Sequence, residues 1–151
     1  METLATLFKN VFFRIPDYQR GYAWKCDKQL PELWDDIDEI LEKTQTPGKY
    51  RPHYTGTIFV EEMKAEDVPE TERWMHKGGA TFYSVVDGQQ RLTTISILLF
   101  ELLKAEDVEY NEIKIEKLRE QYVVETNASG KSKVYHFSYI GDQNDHLLSC
   151  V

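Results

Sequence analysis

The sequence predicts an α/β (α+β) domain. Short β-rich runs at residues 11–15, 54–61, 81–86 and 134–140 are interspersed with helical stripes along the chain. One helical stretch, residues 88–104, is apolar on nearly every side, the mark of a buried helix. The 151 residues are 41% hydrophobic and 13% aromatic, enough for one domain with a proper core.

Each element has a local reason. Residues 3–8 suit a short opening helix, and residues 11–15 a strand that ends where Pro16 imposes an extended or turn conformation. Residues 18–24 form a polar–aromatic loop. From residue 28 to 43, Leu30, Leu33, Trp34, Ile37, Ile40 and Leu41 form a helical stripe, with Pro31 in the first turn. Asp35, Asp36, Asp38, Glu39 and Glu42 lie off that stripe and read as a solvated face rather than a metal site. Pro47, Gly48 and Pro52 mark a loop. Residues 54–61 read as a strand, and residues 64–79 as a hairpin-like excursion closing on Gly78-Gly79. A further helix is expected within residues 112–124, a flexible loop at 127–133, one strand at 134–140, and a last helix capped by Asp142. Trp24, Trp34 and Trp74 are expected in or at the edge of the core, and Trp24 could also flank a ligand. The ending Leu147-Leu148-Ser149-Cys150-Val151 suggests a piece of a longer protein.

Composition excludes several classes. The net charge of −8 argues against wrapping duplex DNA by charge alone, since such binding needs many Lys and Arg contacts to phosphate. Cys26 and Cys150 show no paired spacing and read as thiols of a reducing, cytoplasmic compartment. The first residues show no basic segment followed by an apolar run, since Glu2, Lys9 and Arg14 interrupt it, and no stretch approaches the roughly 20 apolar residues of a membrane span. His53, His76, His136 and His146 lack metal-binding spacing and read as structural or exposed, with His53 the one worth watching. No P-loop and no dinucleotide fingerprint occurs.

The richest stretch is Val85-Val86-Asp87-Gly88-Gln89-Gln90-Arg91-Leu92-Thr93-Thr94, a strand, a tight turn and a helix start. A helix N-terminus presents unpaired N–H groups and the positive dipole end, so it attracts anions. Arg91 is poorly placed for that dipole, and a phosphate would give it a reason to be there. Gly88 would let a ligand approach closely. A second reading fits as well: Asp87 as N-cap, with Asp87-x-x-Gln90 as a capping box. The other polar cluster, Tyr18-Gln19-Arg20, can stack on a base and donate to a phosphate, or be a surface turn.

Taken together these boxes are familiar. Ile15-Pro16-Asp17-Tyr18-Gln19-Arg20-Gly21-Tyr22-Ala23-Trp24, Leu33-Trp34-Asp35-Asp36-Ile37, His53-Tyr54-Thr55-Gly56-Thr57-Ile58 and Asp87-Gly88-Gln89-Gln90-Arg91 occur in that order. The chain resembles the DUF262 family, the N-terminal domain of GmrSD-type modification-dependent restriction proteins and related phage-defence effectors. The resemblance runs over about residues 8–104 and is loose after Glu106. It divides the chain into a nucleotide-binding core, residues 1–105, and a less defined continuation, residues 106–151.

The resemblance implies a ParB/sulfiredoxin-like fold, a small mixed β-sheet with flanking helices. It implies NTP binding and hydrolysis, with Mg²⁺ as an accompanying ion and no metal bound by a dedicated protein cluster. The catalytic set carried onto this chain is Asp87, Gln89, Gln90 and Arg91. The binding set is Tyr18, Gln19, Arg20, Gly88, Arg91 and Thr94. The two boxes are expected to line one pocket. The implied partners are a nucleotide, modified DNA in the full-length protein, and an HNH-type nuclease domain or subunit that does the cutting. Two rival functions stay open, a ParB-like nuclease acting directly on DNA and a non-catalytic interaction module.

Overall fold

The structure is a computed structural model that describes residues 2–44, 53–104, 109–110 and 113–140. It divides into two compact units, one of Met1–Gln19 with Ile58–Val151, the other Arg20–Thr57. The expected loop at Pro47, Gly48 and Pro52 and the expected helix after Asp142 lie outside the described residues.

The first unit holds a four-stranded mixed sheet. Helix α1 (Leu4–Leu7) is capped by Thr3, whose hydroxyl accepts from the Thr6 N–H. Strand β1 (Val11–Ile15) follows and becomes a central strand. β2 (Phe59–Glu62) lies antiparallel to β3 (Thr81–Asp87), which lies parallel to β1. The far edge is β8 (Phe137–Tyr139), parallel to β1, so the order is β2-β3-β1-β8. The fold is thus α+β, a mixed sheet with flanking helices, as the sequence predicts.

Period-2 alternation assigns the two faces of the sheet. Phe13 and Ile15 of β1 and Val85 of β3 pack on one face with Phe8, Tyr139 and the helix residues Leu92 and Ile95. Phe12 and Phe82 pack on the other with Met63, Val68, Met75, Ala80 and Val134. Arg14 also belongs to this second face, directly between Ser84 and Ser138 in the sheet register. It is fully buried, and Glu72 answers its charge with contacts of 2.9 Å to Nε and 2.7 Å to Nη2. Its Nη1 donates to the carbonyls of Phe13 and Tyr135. The guanidinium lies 4.9 Å from the centroid of the Phe82 ring, so charge, hydrogen bonds and an aromatic face together offset its desolvation.

Helix α4 (Gln89–Leu102) rises directly from β3. It differs from the uniformly buried helix expected. Leu92, Thr93, Thr94 and Ile95 are buried in its N-terminal half, whereas residues 96–100 are half-buried and Leu102 is 62% exposed. Only the half that begins at the turn is sealed against the sheet.

Other expectations shift for identifiable reasons. The strand expected from residue 54 begins only at Phe59, and residues 53–58 carry no strand pairing. The excursion after β2 is helical, a 3₁₀ turn at Glu70–Glu72 followed by α3 (Arg73–Lys77). Gly79, at φ +93°, then reverses the chain into β3, a conformation that glycine adopts without strain. β4 (Glu109–Tyr110) and β5 (Ile113–Lys114) form a short antiparallel pair ahead of α5 (Ile115–Tyr122).

The single strand expected at residues 134–140 is two strands. β6 (Val124–Thr126) pairs antiparallel with β7 (Lys133–Tyr135), while β8 joins β1. The break falls at His136, whose N–H donates to Val123 and whose carbonyl accepts from Phe13. The alternation continues through the break, so the pattern alone did not reveal the change of partner. The loop between β6 and β7 is organised rather than loose, because the Asn127 Oδ1 accepts from Ser129 Oγ and from the N–H groups of Lys131 and Ser132.

In the second unit, α2 (Gln29–Thr44) carries Pro31 in its first turn, as expected. Leu30, Leu33, Ile37 and Ile40 are half-buried, but Trp34 and Leu41 are each 55% exposed, so Trp34 is not a core residue. The acidic residues Asp35, Asp38, Glu39 and Glu42 are exposed. His53 lies 3.3 Å from the Asp36 carboxylate and ties the chain before residue 54 back to α2.

Candidate functional site

The site is assembled where β3 gives way to α4. Between Val60 and Phe59 the register with β3 jumps from Val85 to Asp87, so Val86 is an extra residue on β3. Such a bulge bends its strand and re-aims the side chains that follow, here just before the polar turn. Gln19, in the loop after β1, donates through Nε2 to the Val86 carbonyl at 3.0 Å. One of the two polar boxes is thereby fastened to the edge of the other.

Gly88 is the N-cap residue of α4 and sits in the left-handed region at φ 88°, ψ 8°. A side chain there would be strained by roughly 1–2 kcal/mol, so the glycine is demanded by the backbone. As a glycine it has no side chain with which to cap the helix. The Asp87 Oδ1 accepts from the Gly88 N–H at 2.8 Å instead of reaching the N–H groups further in. The capping box read as Asp87-x-x-Gln90 therefore does not form. The Gly88 carbonyl already accepts from the Leu92 N–H, so the helix begins at the turn itself.

The remaining candidates divide by burial. Asp87 is exposed, Arg91 is half-buried, and Gln89 and Gln90 are buried in the first turn. Thr94 is buried and its hydroxyl donates to the Gln90 carbonyl; Thr93 does the same to Gln89. Both hydroxyls bond back to the helix backbone one turn earlier, at the carbonyls of the glutamines. Tyr18 is 75% exposed beside Gln19. Arg20 opens the second unit and is exposed there. Among the described residues no group of three or more His, Cys, Asp or Glu side chains could hold a metal ion. No helix among them is long and apolar enough to cross a membrane.

Two participants escaped the sequence reading. Val86 looks like any strand residue, and only the register reveals its carbonyl as the anchor for Gln19. Phe59 looks like a core strand residue, yet it is 58% exposed and directly opposite Asp87.

Comparison with known families places this mixed sheet, with its glycine turn and helix start, in the class of restriction and phage-defence domains. The family described as GmrSD restriction endonuclease, N-terminal domain, matches residues 4–148. The chain belongs to that family. Membership in a restriction family implies interaction with DNA. No curated protein matches the chain.

Proposed function

We propose that the turn at residues 87–91 binds the phosphates of a nucleoside triphosphate. On this reading the chain is the nucleotide-dependent regulatory part of a modification-dependent restriction system in the cytoplasm, and it hydrolyses the nucleotide. An HNH-type nuclease domain or subunit cuts the DNA. The accompanying fold reading is ParB/sulfiredoxin-like. The observation that carries the proposal is the start of α4: a left-handed Gly88 at the N-cap position and Arg91 in the first turn. A helix N-terminus turns the positive end of its dipole towards an anion, and a cation in that first turn is favoured once an anion is bound.

The residues suit the ligand. Arg91 supplies a planar fork for phosphate oxygens. The absence of a Cβ at Gly88 lets phosphate approach the backbone. Gln89 or Gln90 positions the attacking water, and Asp87 orients the turn. The exposed Asp87 carboxylate also suits Mg²⁺, which binds through one or two carboxylates together with substrate phosphates. Gln19 holds the Tyr18 loop beside the turn. Thr94 joins the binding set in this proposal through its hydrogen bond to the Gln90 carbonyl.

Calorimetric titration with ATP, GTP and CTP tests this reading. Charged hydrogen bonds are worth roughly 1.5–3 kcal/mol, so Arg91→Ala is expected to weaken binding about 10- to 100-fold. Arg91→Lys recovers part of the loss. Absence of binding by the wild type at millimolar nucleotide would overturn the proposal.

A further inference from the structure

Three exposed residues that adjoin the turn have no part in either core. Phe59 is 58% exposed, Val86 49% and Tyr18 75%. Single apolar residues on a surface are ordinary. Each of these three adjoins the turn through the sheet register or the Gln19 bond. Phe59 is the β2 partner of Asp87, Val86 is the bulge residue between Val85 and Asp87, and Tyr18 precedes the Gln19 that bonds Val86. Directly opposed residues in an antiparallel pair have Cα atoms roughly 4.5–5.5 Å apart, so the Phe59 ring is rooted within one side chain's length of Asp87.

The position also matters for the sheet. β2 is an edge strand and all four of its residues are exposed. Edge strands are ordinarily protected by charge, and Glu61 and Glu62 supply it. An aromatic at Phe59 works against that protection, and core packing does not require it. A ligand with a flat apolar face would use it.

We propose that Phe59 is the stacking platform for the base of the nucleotide whose phosphates occupy the turn, with Val86 completing the apolar surface. This rests on the phosphate-site reading of residues 87–91 and adds to it where the base lies. The ligand recognised at Phe59 is a nucleobase by its π-face. Stacking of this kind tolerates any base, because every base presents such a face. The platform therefore adds affinity for nucleotides over bare polyphosphate, with little choice among bases.

The test compares two probes, ATP and inorganic tripolyphosphate, on the whole chain by calorimetry. Phe59→Ala is expected to weaken ATP about 10- to 100-fold, the size of a lost base–aromatic stack, and to leave tripolyphosphate unchanged. Phe59→Trp is expected to retain ATP binding. Arg91→Ala is expected to weaken both probes. Unchanged tripolyphosphate binding also shows that the Phe59 variant is folded. If Phe59→Ala binds ATP as the wild type does, or loses both probes equally, the platform is wrong while the phosphate site stands. If the wild type binds neither probe, the phosphate site fails and the platform with it. Equal loss of a short single-stranded oligonucleotide and no loss of ATP would assign the ring to DNA and overturn the nucleotide reading of Phe59.

Discussion

Gln19 and Val86 are joined across 67 residues by one hydrogen bond, from the glutamine Nε2 to the carbonyl of the bulge residue. The bond fixes the loop after β1 to the strand end from which α4 departs. A net contribution of about 1 kcal/mol is expected for a neutral bond of this kind. Gln19→Ala should therefore lower stability by about 1 kcal/mol or less. Gln19→Glu should be worse than Ala, because a carboxylate oxygen would face the carbonyl oxygen. Urea unfolding of the three proteins checks the order. A Glu variant as stable as the wild type would mean that the bond does not fasten the loop.

Gly88 carries the second prediction. Its φ of 88° belongs to the left-handed region, and it is buried at the start of α4. Gly88→Ala should cost about 1–2 kcal/mol from backbone strain alone. Gly88→Asn should cost less, since Asn visits this region more readily. Thermal melts separate this from a purely packing effect, which would make the larger Asn the more harmful of the two.

Arg14 and Glu72 form a buried pair with side chains 1% and 17% exposed. Removing one partner leaves a charge inside the second core, which typically costs roughly 3–5 kcal/mol. Glu72→Ala should fall towards the low end, because Arg14 keeps its bonds to Phe13 and Tyr135. The double change Arg14→Met with Glu72→Met should cost clearly less than the sum of the single changes. Strict additivity in denaturant unfolding would show that the two do not act as a pair.

The sequence made the strand–turn–helix legible because local chemistry decides it. The strand expected at residues 11–15 is observed at Val11–Ile15, and the helix expected from residue 28 begins at Gln29. A glycine between a β-run and an apolar helix leaves few other conformations. What stayed hidden depends on pairing. The bulge at Val86 is a property of two strands, so nothing in β3 alone announces it. The split at His136 is hidden for the same reason, since both halves alternate in phase while pairing with different strands. The Arg14–Glu72 pair stayed hidden because Glu72 lies 58 residues away on an excursion read as a hairpin. The exposed half of α4 was misjudged because periodicity reports which side is apolar, not how far along the helix the sheet extends.

His136 yields the last prediction. It is buried at the junction of β7 and β8, stacked on Phe12 with centroids 4.4 Å apart and edge-on to Phe8. Its Nδ1 lies 2.8 Å from the Val11 carbonyl and its Nε2 lies 2.9 Å from the Glu120 carbonyl. Burial pushes its pKa below the ordinary value, aided by the charge of Arg14. The two carbonyls and Glu125 pull the other way without prevailing. The folded protein thus favours the neutral ring. Above the unfolded value of about 6.5 both states are neutral and His136 adds no pH dependence. As pH falls below that value, the unfolded chain takes up a proton that the folded chain resists, so stability declines until the lowered folded pKa is passed. His136→Gln removes the titration while keeping one amide donor for a carbonyl. It should lower stability at pH 7.5 and flatten the decline below about pH 6.5 relative to the wild type. Urea midpoints across that range decide the matter. Parallel curves for the two proteins would place the pH dependence on other groups.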